Sequence, residues 1–277
     1  MSGFSSEWLA LREPADRRAR SAGIVHMLTR SFAEVDEIEA CDLGAGTGAT
    51  LRALVPVLPP SHQRWTLIDR DPALLAEAQR LLAAWADAAD GLRLEAGDRT
   101  LELRMVQGDL TGDLEALIPP QADIVTSSAL IDLVSDAWLD RLVAAVIRRR
   151  AVVLMALAYA GVERWRPAHP ADRAMLEAFV AHQRRDKGFG PALGPTAAEV
   201  LSRKLKDAGY EVVMAPSPWQ LVGSHDRALI DALADGIAAA VGETGAVPPA
   251  AIAAWRAARR EVASVEIGHI DLFARLP

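Results

Sequence analysis

The run from Cys41 to Leu54, CDLGAGTGATLRAL, constrains this chain more than any other segment. Strand-like apolar residues lead into a turn with glycine at alternate positions, Gly44, Gly46 and Gly48, and then into a helical pattern from Ala49 to Leu58. Glycine adopts the left-handed backbone that so tight a reversal requires, and it lets the main chain come close to a ligand. A strand, a turn and a helix form the opening unit of a parallel sheet with right-handed crossovers. That unit recurs along the chain. Strands are expected at Glu39 to Leu43, Arg64 to Ile68, Leu101 to Val106, Ala122 to Ser127 and Ala151 to Leu157. Between them, helices are expected at Pro72 to Ala88, Leu114 to Ile118 and Ala137 to Arg148. The alternation predicts an α/β doubly wound sheet with helices on both faces.

The flanking segments break this rhythm. Ser5 or Ser6 caps an expected helix that starts near Glu7 and continues through Ile24, Met27 and Leu28 to about Val35. After the fifth strand, Tyr159 to Pro195 shows no strand signal and holds one helix, Ala171 to Arg184. Thr196 then caps a helix through Ala208, Gly209 ends it, and Tyr210 to Met214 reads as a strand. Two alanine-rich helices, Asp226 to Val241 and Pro249 to Val262, precede a last strand from Val265 to Leu276.

At 277 residues the chain fits one domain with insertions. It has no apolar run of membrane-helix length, and Arg12, Arg17, Arg18 and Arg20 exclude a signal peptide, so a cytoplasmic protein without membrane partners is expected. Cys41 is the one cysteine, which rules out intrachain disulfides and cysteine zinc clusters, and its apolar strand suits a packing role. A net charge of −7 opposes nucleic-acid binding, which needs clustered Lys and Arg. Arg148, Arg149 and Arg150 close a helix and suit its dipole.

A glycine turn of this kind also serves dinucleotides, since G-x-G-x-x-A is present with Ala49 in the last place. Three acids decide against that ligand. Asp42 stands two residues before the first glycine, where a carboxylate repels phosphate and suits a cation. Asp69 ends the second strand, placed to accept from both ribose hydroxyls. Asp109 follows the third strand, placed to accept from the exocyclic amine of adenine. A phosphate-free adenine nucleoside with a cationic tail is S-adenosylmethionine.

The D-L-G-A-G-T-G turn, the acid in "IDRDP", the "GDL" after strand three and "ADIVTSSALIDLVS" around strand four occur in the order and spacing of one family. From about Ile38 to Leu157 the chain resembles class I S-adenosylmethionine-dependent methyltransferases. The resemblance implies a Rossmann-like seven-stranded sheet whose last strand is antiparallel, the place that Val265 to Leu276 fits. It implies that Asp42, Gly44, Ala45, Gly46 and Gly48 surround the methionine moiety and that Asp69 holds the ribose. Arg70 would lie on the adenine ring, Asp109 and the Leu110 amide would read its edge, and Ser127 and Ser128 would line the space below the methionine. The expected organisation is one methyltransferase domain over 1–277, with a helical cap at 1–35, a cofactor core at 36–158, a lid insertion at 159–195 and the rest of the sheet at 196–277.

Methyl transfer from a sulfonium is an in-line displacement, in which orientation contributes ~7 kcal/mol or more to lowering the barrier. An alcohol or phenol acceptor also benefits from a base. Substrate contacts are expected from whatever covers the cofactor, with Trp8 and Arg20 from the cap, Tyr159, and Arg184 and Lys187 from the insertion. His182 is the first candidate base, beside the Gly-Phe-Gly-Pro hinge, and Asp132 the second. Trp165, Trp219 and Tyr159 either wall the pocket or fill the core. His169, Asp172, His182 and Asp186 match no metal-ligand spacing, and no metal is expected. The expected reaction is methylation of a small molecule, with aminopropyl transfer or non-catalytic binding of the cofactor as alternatives. The sequence leaves the oligomeric state open.

Overall fold

The computed structural model describes residues 4–277, so the first three residues of the expected cap lie outside the described residues. The Ser5 hydroxyl accepts from the Trp8 amide at 3.2 Å and opens α1, Ser6–Ala19. The single N-terminal helix expected from the sequence is in fact two, because the chain breaks at Arg20 before α2, Ala22–Ser31. The break has a physical cause. The Ser21 amide donates to the buried carboxylate of Asp271 at 2.9 Å, and the Ser21 hydroxyl then caps α2 by accepting from the Ile24 amide.

The repeating unit forms as the pattern predicts. Strand β1, Glu37–Leu43, leads through the glycine turn to α3, Ala49–Leu54; β2, His62–Asp69, leads to α4, Pro72–Trp85. Pro72 occupies the first turn of α4, where its missing N–H costs nothing, and Asp71 caps it by accepting from the Ala73 amide at 2.9 Å. A hairpin that the sequence did not signal follows, with β3 at Ala88–Asp90 and β4 at Arg93–Ala96. Its β3 residues are all exposed, so no apolar alternation marks it. Then come β5, Arg99–Gln107; α5, Leu114–Leu117; β6, Ile124–Ser128; and α6, Asp136–Arg149. The Arg149 guanidinium donates to the carbonyls of Glu115, Ile118 and Pro119 at 2.6 to 2.8 Å, so this arginine cluster helps close α5.

The fifth parallel strand corrects the sequence reading. Strand β7 runs from Val152 through Arg166, well past the expected end at Leu157, and pairs antiparallel with β10, Ser264–Arg275. Gly161, at φ +69°, interrupts the β pattern in the sequence, yet the alternate residues Tyr159, Glu163 and Trp165 still turn to one face. The insertion therefore begins only after Arg166 and contains α7, Asp172–Gln183. Next are α8, Ala197–Asp207; β8, Glu211–Pro216; β9, Trp219–Val222; α9, Arg227–Gly242; and α10, Pro249–Arg259. Thr196 precedes α8, but its hydroxyl donates back to the Leu193 carbonyl at 2.9 Å instead of capping the helix.

The sheet order is β3-β4-β5-β2-β1-β6-β7-β10-β8, with β9 paired to the first half of β10. The five strands β5, β2, β1, β6 and β7 are mutually parallel, and β10 runs against both β7 and β8. This gives the expected seven-stranded core, extended at one edge by the hairpin and locally by β9. Two apolar cores cover its faces, around Leu139, Leu142 and Leu201 on one side and Leu28, Leu54 and Leu67 on the other. A third core packs α7, α9 and α10 onto the extended end of β7 around Trp165 and Trp255, whose rings meet edge to face at 5.3 Å. That third core fixes the insertion over the carboxyl end of the sheet. No helix among the described residues is long and apolar enough to cross a membrane.

Candidate active site

A cavity of about 600 Å³ opens at the carboxyl ends of β1, β2, β5 and β6 and continues under α1, α7 and α9. Its outer half is built from the segments singled out in the sequence. Gly44 and Gly46, at φ +68° and +53°, carry the main chain along its wall. A Cβ on Gly46 would stand 3.0 Å from Leu9 Cδ1 of α1, so the cap closes directly on the turn. The Arg52 guanidinium locks that arrangement, giving hydrogen bonds to both Glu13 carboxylate oxygens at 2.9 and 2.5 Å and to the Thr47 carbonyl at 2.8 Å. Because Glu13 belongs to α1 and Arg52 to α3, the ion pair ties the cap to the turn.

Asp69 sits nearly buried in the cavity wall, accepting from the Gly46 amide at 2.9 Å and the Asp71 amide at 3.0 Å. Each oxygen keeps a further acceptor position. Asp109 lies at the exposed rim, where the Thr111 amide at 2.9 Å holds its pKa below the ordinary carboxylate value. Arg70, Leu110 and Ser128 also line this half. Ala45, Gly48, Ser127 and Asp42 do not. The Ser127 hydroxyl donates to the Leu43 carbonyl at 2.7 Å and is buried, so it braces β1 against β6. Asp42 lies beneath the floor, with Oδ1 accepting from the Thr126 hydroxyl at 2.7 Å and Oδ2 buried without a partner. Burial pushes its pKa up to about 7.

The turn differs from the sequence expectation in one respect. Its amides are largely spent inside the protein: Ala45 on the Ile68 carbonyl, Gly46 on Asp69 and Gly48 on the Ala45 carbonyl, each at 2.9 Å. A pyrophosphate cradle works by presenting such amides to phosphate oxygens. Here the polar group that borders the cavity beside the turn is the carboxylate of Asp69.

The inner half of the cavity is largely aromatic and apolar. Trp8, Tyr159, Phe179 and Trp219 contribute rings, with Tyr159 edge to face against Phe179 at 5.7 Å, and α9 adds Leu233 and Ile237. Trp165 remains in the core. Arg12 also borders this chamber, but Asp16 accepts two of its hydrogen bonds, at 2.9 and 3.2 Å, and neutralises it. Asp132 borders the chamber with Oδ1 buried and unpartnered, and burial pushes its pKa up to about 6. His269 lies nearby with Nδ1 unpartnered, and burial together with Arg12 holds it neutral, its pKa lowered to about 3. Glu163 accepts from the Tyr159 hydroxyl at 3.1 Å and Trp165 Nε1 at 3.2 Å, and burial raises its pKa. Glu163 and His269 escaped the sequence reading. One fell in a stretch read as strand-free, and the other is a single histidine in an apolar strand.

The residues expected from the lid divide. His182 and Lys187 border the cavity, whereas Arg184 is exposed and Arg20, just past α1, does not line it but keeps its guanidinium Nε buried, beside Asp16, Asp42 and Asp271. His182 is engaged at both ring nitrogens, Nε2 with Glu243 at 3.0 Å and Nδ1 with the Lys187 ammonium at 3.3 Å. It joins α7 to the loop after α9 and works as a clasp. Asp172 and His169 are likewise structural: the carboxylate of Asp172 accepts from Trp255 Nε1 and Arg259, while His169 Nδ1 accepts from the Ala171 amide. Among the described residues no three His, Cys, Asp or Glu side chains converge as a metal site would require.

No protein-family model matches the sequence, and no curated protein does. Solved structures do match. A Bacillus halodurans protein provisionally assigned as a methyltransferase superposes with a TM-score of 0.51 at 15% identity, covering 92% of this chain and 100% of its own. The fold is that of the class I methyltransferases. A Geobacter sulfurreducens S-adenosylmethionine-dependent methyltransferase in complex with S-adenosylhomocysteine matches at 16% identity and TM-score 0.49 over 100% of both chains. The YcgJ protein of Bacillus subtilis matches at 14% and 0.49, over 93% of this chain and 100% of that one. In an open sheet of this kind, ligands bind outside the carboxyl ends of the strands at the switch in strand order, here between β1 and β6. The methyltransferase fold and the observed cavity thus point to one place.

Proposed function

We propose that this chain is an S-adenosylmethionine-dependent methyltransferase acting on a small-molecule acceptor. The observation that carries the reading is that one cavity joins the rim of Gly44, Gly46, Asp69 and Asp109 to the aromatic chamber beneath α7 and α9. The residues suit the cofactor on three counts. Gly44 and Gly46, at φ +68° and +53°, carry the main chain along the cavity wall with no side chain between it and the ligand space. Asp69 is fixed by two amides and has acceptor capacity left for a diol. Asp109, its pKa held below the ordinary carboxylate value by the Thr111 amide, remains an acceptor at the rim for an amine.

S-adenosylmethionine, when bound, supplies an electrophilic methyl on a cationic sulfur that departs as a neutral thioether. The chain's own part is placement. Asp69 and Asp109 fix the nucleoside at the outer half, the cap helix α1 closes over the turn, and the aromatic chamber excludes water from the acceptor. Asp132, which borders the chamber and keeps a buried oxygen without a partner, is better placed as a base than His182, whose two nitrogens are occupied. Aminopropyl transfer calls for several free acids around an amine, and Glu163 is already spent on Tyr159 and Trp165.

Calorimetric titration with S-adenosylhomocysteine tests the cofactor site. Asp69→Ala is expected to weaken binding at least about tenfold, the ~1.4 kcal/mol scale of a lost charged hydrogen bond. Equal affinity in the variant and the parent would refute the assignment.

A further inference from the structure

Buried polar side-chain atoms without partners are rare, and this chain gathers three of them, Trp8 Nε1, Asp132 Oδ1 and His269 Nδ1, on residues that border one cavity. Each leaves a hydrogen bond unmade in the free protein. Trp8 Nε1 is a donor, Asp132 Oδ1 an acceptor, and His269 presents a ring nitrogen of a neutral imidazole. They share surroundings: Arg12 acts on both Asp132 and His269, and Tyr159 and Trp219 each pack against the His269 ring, at 6.4 and 5.0 Å. The remaining chamber wall offers ring faces and the aliphatic side of α9. All three atoms are covered in the free protein, and a ligand that supplies their complements would satisfy them once the chamber wall yields enough to uncover them.

We propose that the methyl acceptor is a flat hydroxyaromatic molecule, its hydroxyl donating to Asp132 Oδ1 and its ring held among Trp8, Tyr159, Phe179 and Trp219. The proposal rests on the methyltransferase reading above and adds the substrate class to it. Charge narrows the choice. The cation of Arg12 is matched by Asp16, while Asp132 has no counter-ion within salt-bridge distance, so a carboxylate acceptor meets repulsion. An amine meets the opposite difficulty, because the carboxylate favours its ammonium form, which has no lone pair to attack. A hydroxyl satisfies both requirements. Its oxygen forms a bond to the methyl carbon, the carbon–sulfur pair remains on sulfur, and its proton passes to Asp132 Oδ1, leaving an ether, a thioether and a neutral acid. A phenol, with a pKa near 10, suits a carboxylate base far better than an aliphatic alcohol does.

The test uses cofactor-free protein and 2-naphthol, followed by quenching of tryptophan fluorescence, with 2-methoxynaphthalene and 2-naphthoate for comparison. Expected is binding of 2-naphthol about tenfold or more tighter than either comparison compound. Asp132→Ala is expected to bring 2-naphthol and 2-methoxynaphthalene to similar affinity. Asp132→Asn, which retains an acceptor oxygen, is expected to keep the preference and to lose methylation of 2-naphthol when the methyl donor is added. Tighter binding of the methoxy compound or the carboxylate, or a preference unchanged in Asp132→Ala, would overturn the proposal. A parallel titration with S-adenosylhomocysteine separates the two claims. Naphthol preference without cofactor binding refutes the methyltransferase reading, whereas cofactor binding without naphthol preference refutes this acceptor alone.

Discussion

Gly46→Ala tests whether the turn needs glycine for its backbone angle or for what lies against it. At φ +53° an alanine pays the left-handed penalty of ~1–2 kcal/mol, partly offset by ~0.4–1 kcal/mol from a stiffer unfolded chain. The net loss of about 1 kcal/mol corresponds to a fall of roughly 2–4 °C in melting temperature for a domain near this size. Gly97→Ala is the matched control, with φ +62° in the β4–β5 turn and nothing within 4 Å of the added carbon. Both variants should melt a few degrees lower. Only Gly46→Ala also brings a methyl to 3.0 Å from Leu9 Cδ1, so the Leu9 side chain must give by a few tenths of an ångström against the cavity wall. Calorimetry with S-adenosylhomocysteine should therefore show at least about a tenfold weaker affinity in Gly46→Ala, equivalent to ~1.4 kcal/mol, and none in Gly97→Ala. Equal cofactor affinity in the two variants would refute the claim that the packing of Leu9 on Gly46 shapes the cofactor site.

Two further outcomes follow from buried charge. The Asp42 pKa is raised by folding from 3.8 to about 7, so folding favours its protonated form; that stabilisation is complete below about pH 4 and is lost as pH rises through 7. The gap corresponds to ~4 kcal/mol as an order of magnitude. Asp42→Asn, which still accepts from Thr126, should gain in melting temperature over the parent as pH goes from 5 to 8, and a constant difference across that range would contradict the assignment. Arg259→Met removes a buried cation that stacks on Trp165 and Trp255 at 4.9 and 4.8 Å and pairs with Asp172 at 2.6 Å. Breaking such a pair costs ~3 kcal/mol or more. Hydrogen exchange should rise in α7 and α10 while β1 and β2 keep their protection; an equal rise throughout the sheet would show that the lid is not a separate cooperative unit.

What the sequence disclosed and what it concealed divide along physical lines. Strand β5 alternates, with Leu101 and Leu103 buried beside exposed Glu102 and Arg104, while β1 and β2 end in buried residues, so the parallel strands from β1 to β6 were legible to within a few residues. Helix α4 starts at Pro72, where the sequence pattern put it, because proline suits a first helical turn. The far half of β7 was concealed because its register is set by β10, more than ninety residues later, where Trp165 pairs with Val265 and Arg166 with Ser264. The division of the N-terminal helix was concealed for the same reason, since Asp271 dictates it from the last strand. Outer-half residues such as Gly44, Asp69 and Asp109 were legible because a local turn places them. The inner chamber was legible only in part: Trp8, Tyr159 and Asp132 were expected at the pocket, whereas Glu163 and His269, from two distant strands, join them only in the fold.

The same distinction bears on how the pocket tells a cation from a phosphate. The glycine pattern by itself satisfies either ligand, because it fixes only how close the main chain can come. What separates them is where the amides go. In this turn Ala45, Gly46 and Gly48 direct their N–H groups to Ile68, Asp69 and Ala45, which leaves a phosphate little to bind. The acceptor that Gly46 engages is itself a carboxylate on the cavity wall. Spending the amides internally and leaving the Asp69 carboxylate at the surface both lower the local potential. A positively charged nucleoside therefore gains from the features that a pyrophosphate would find repulsive.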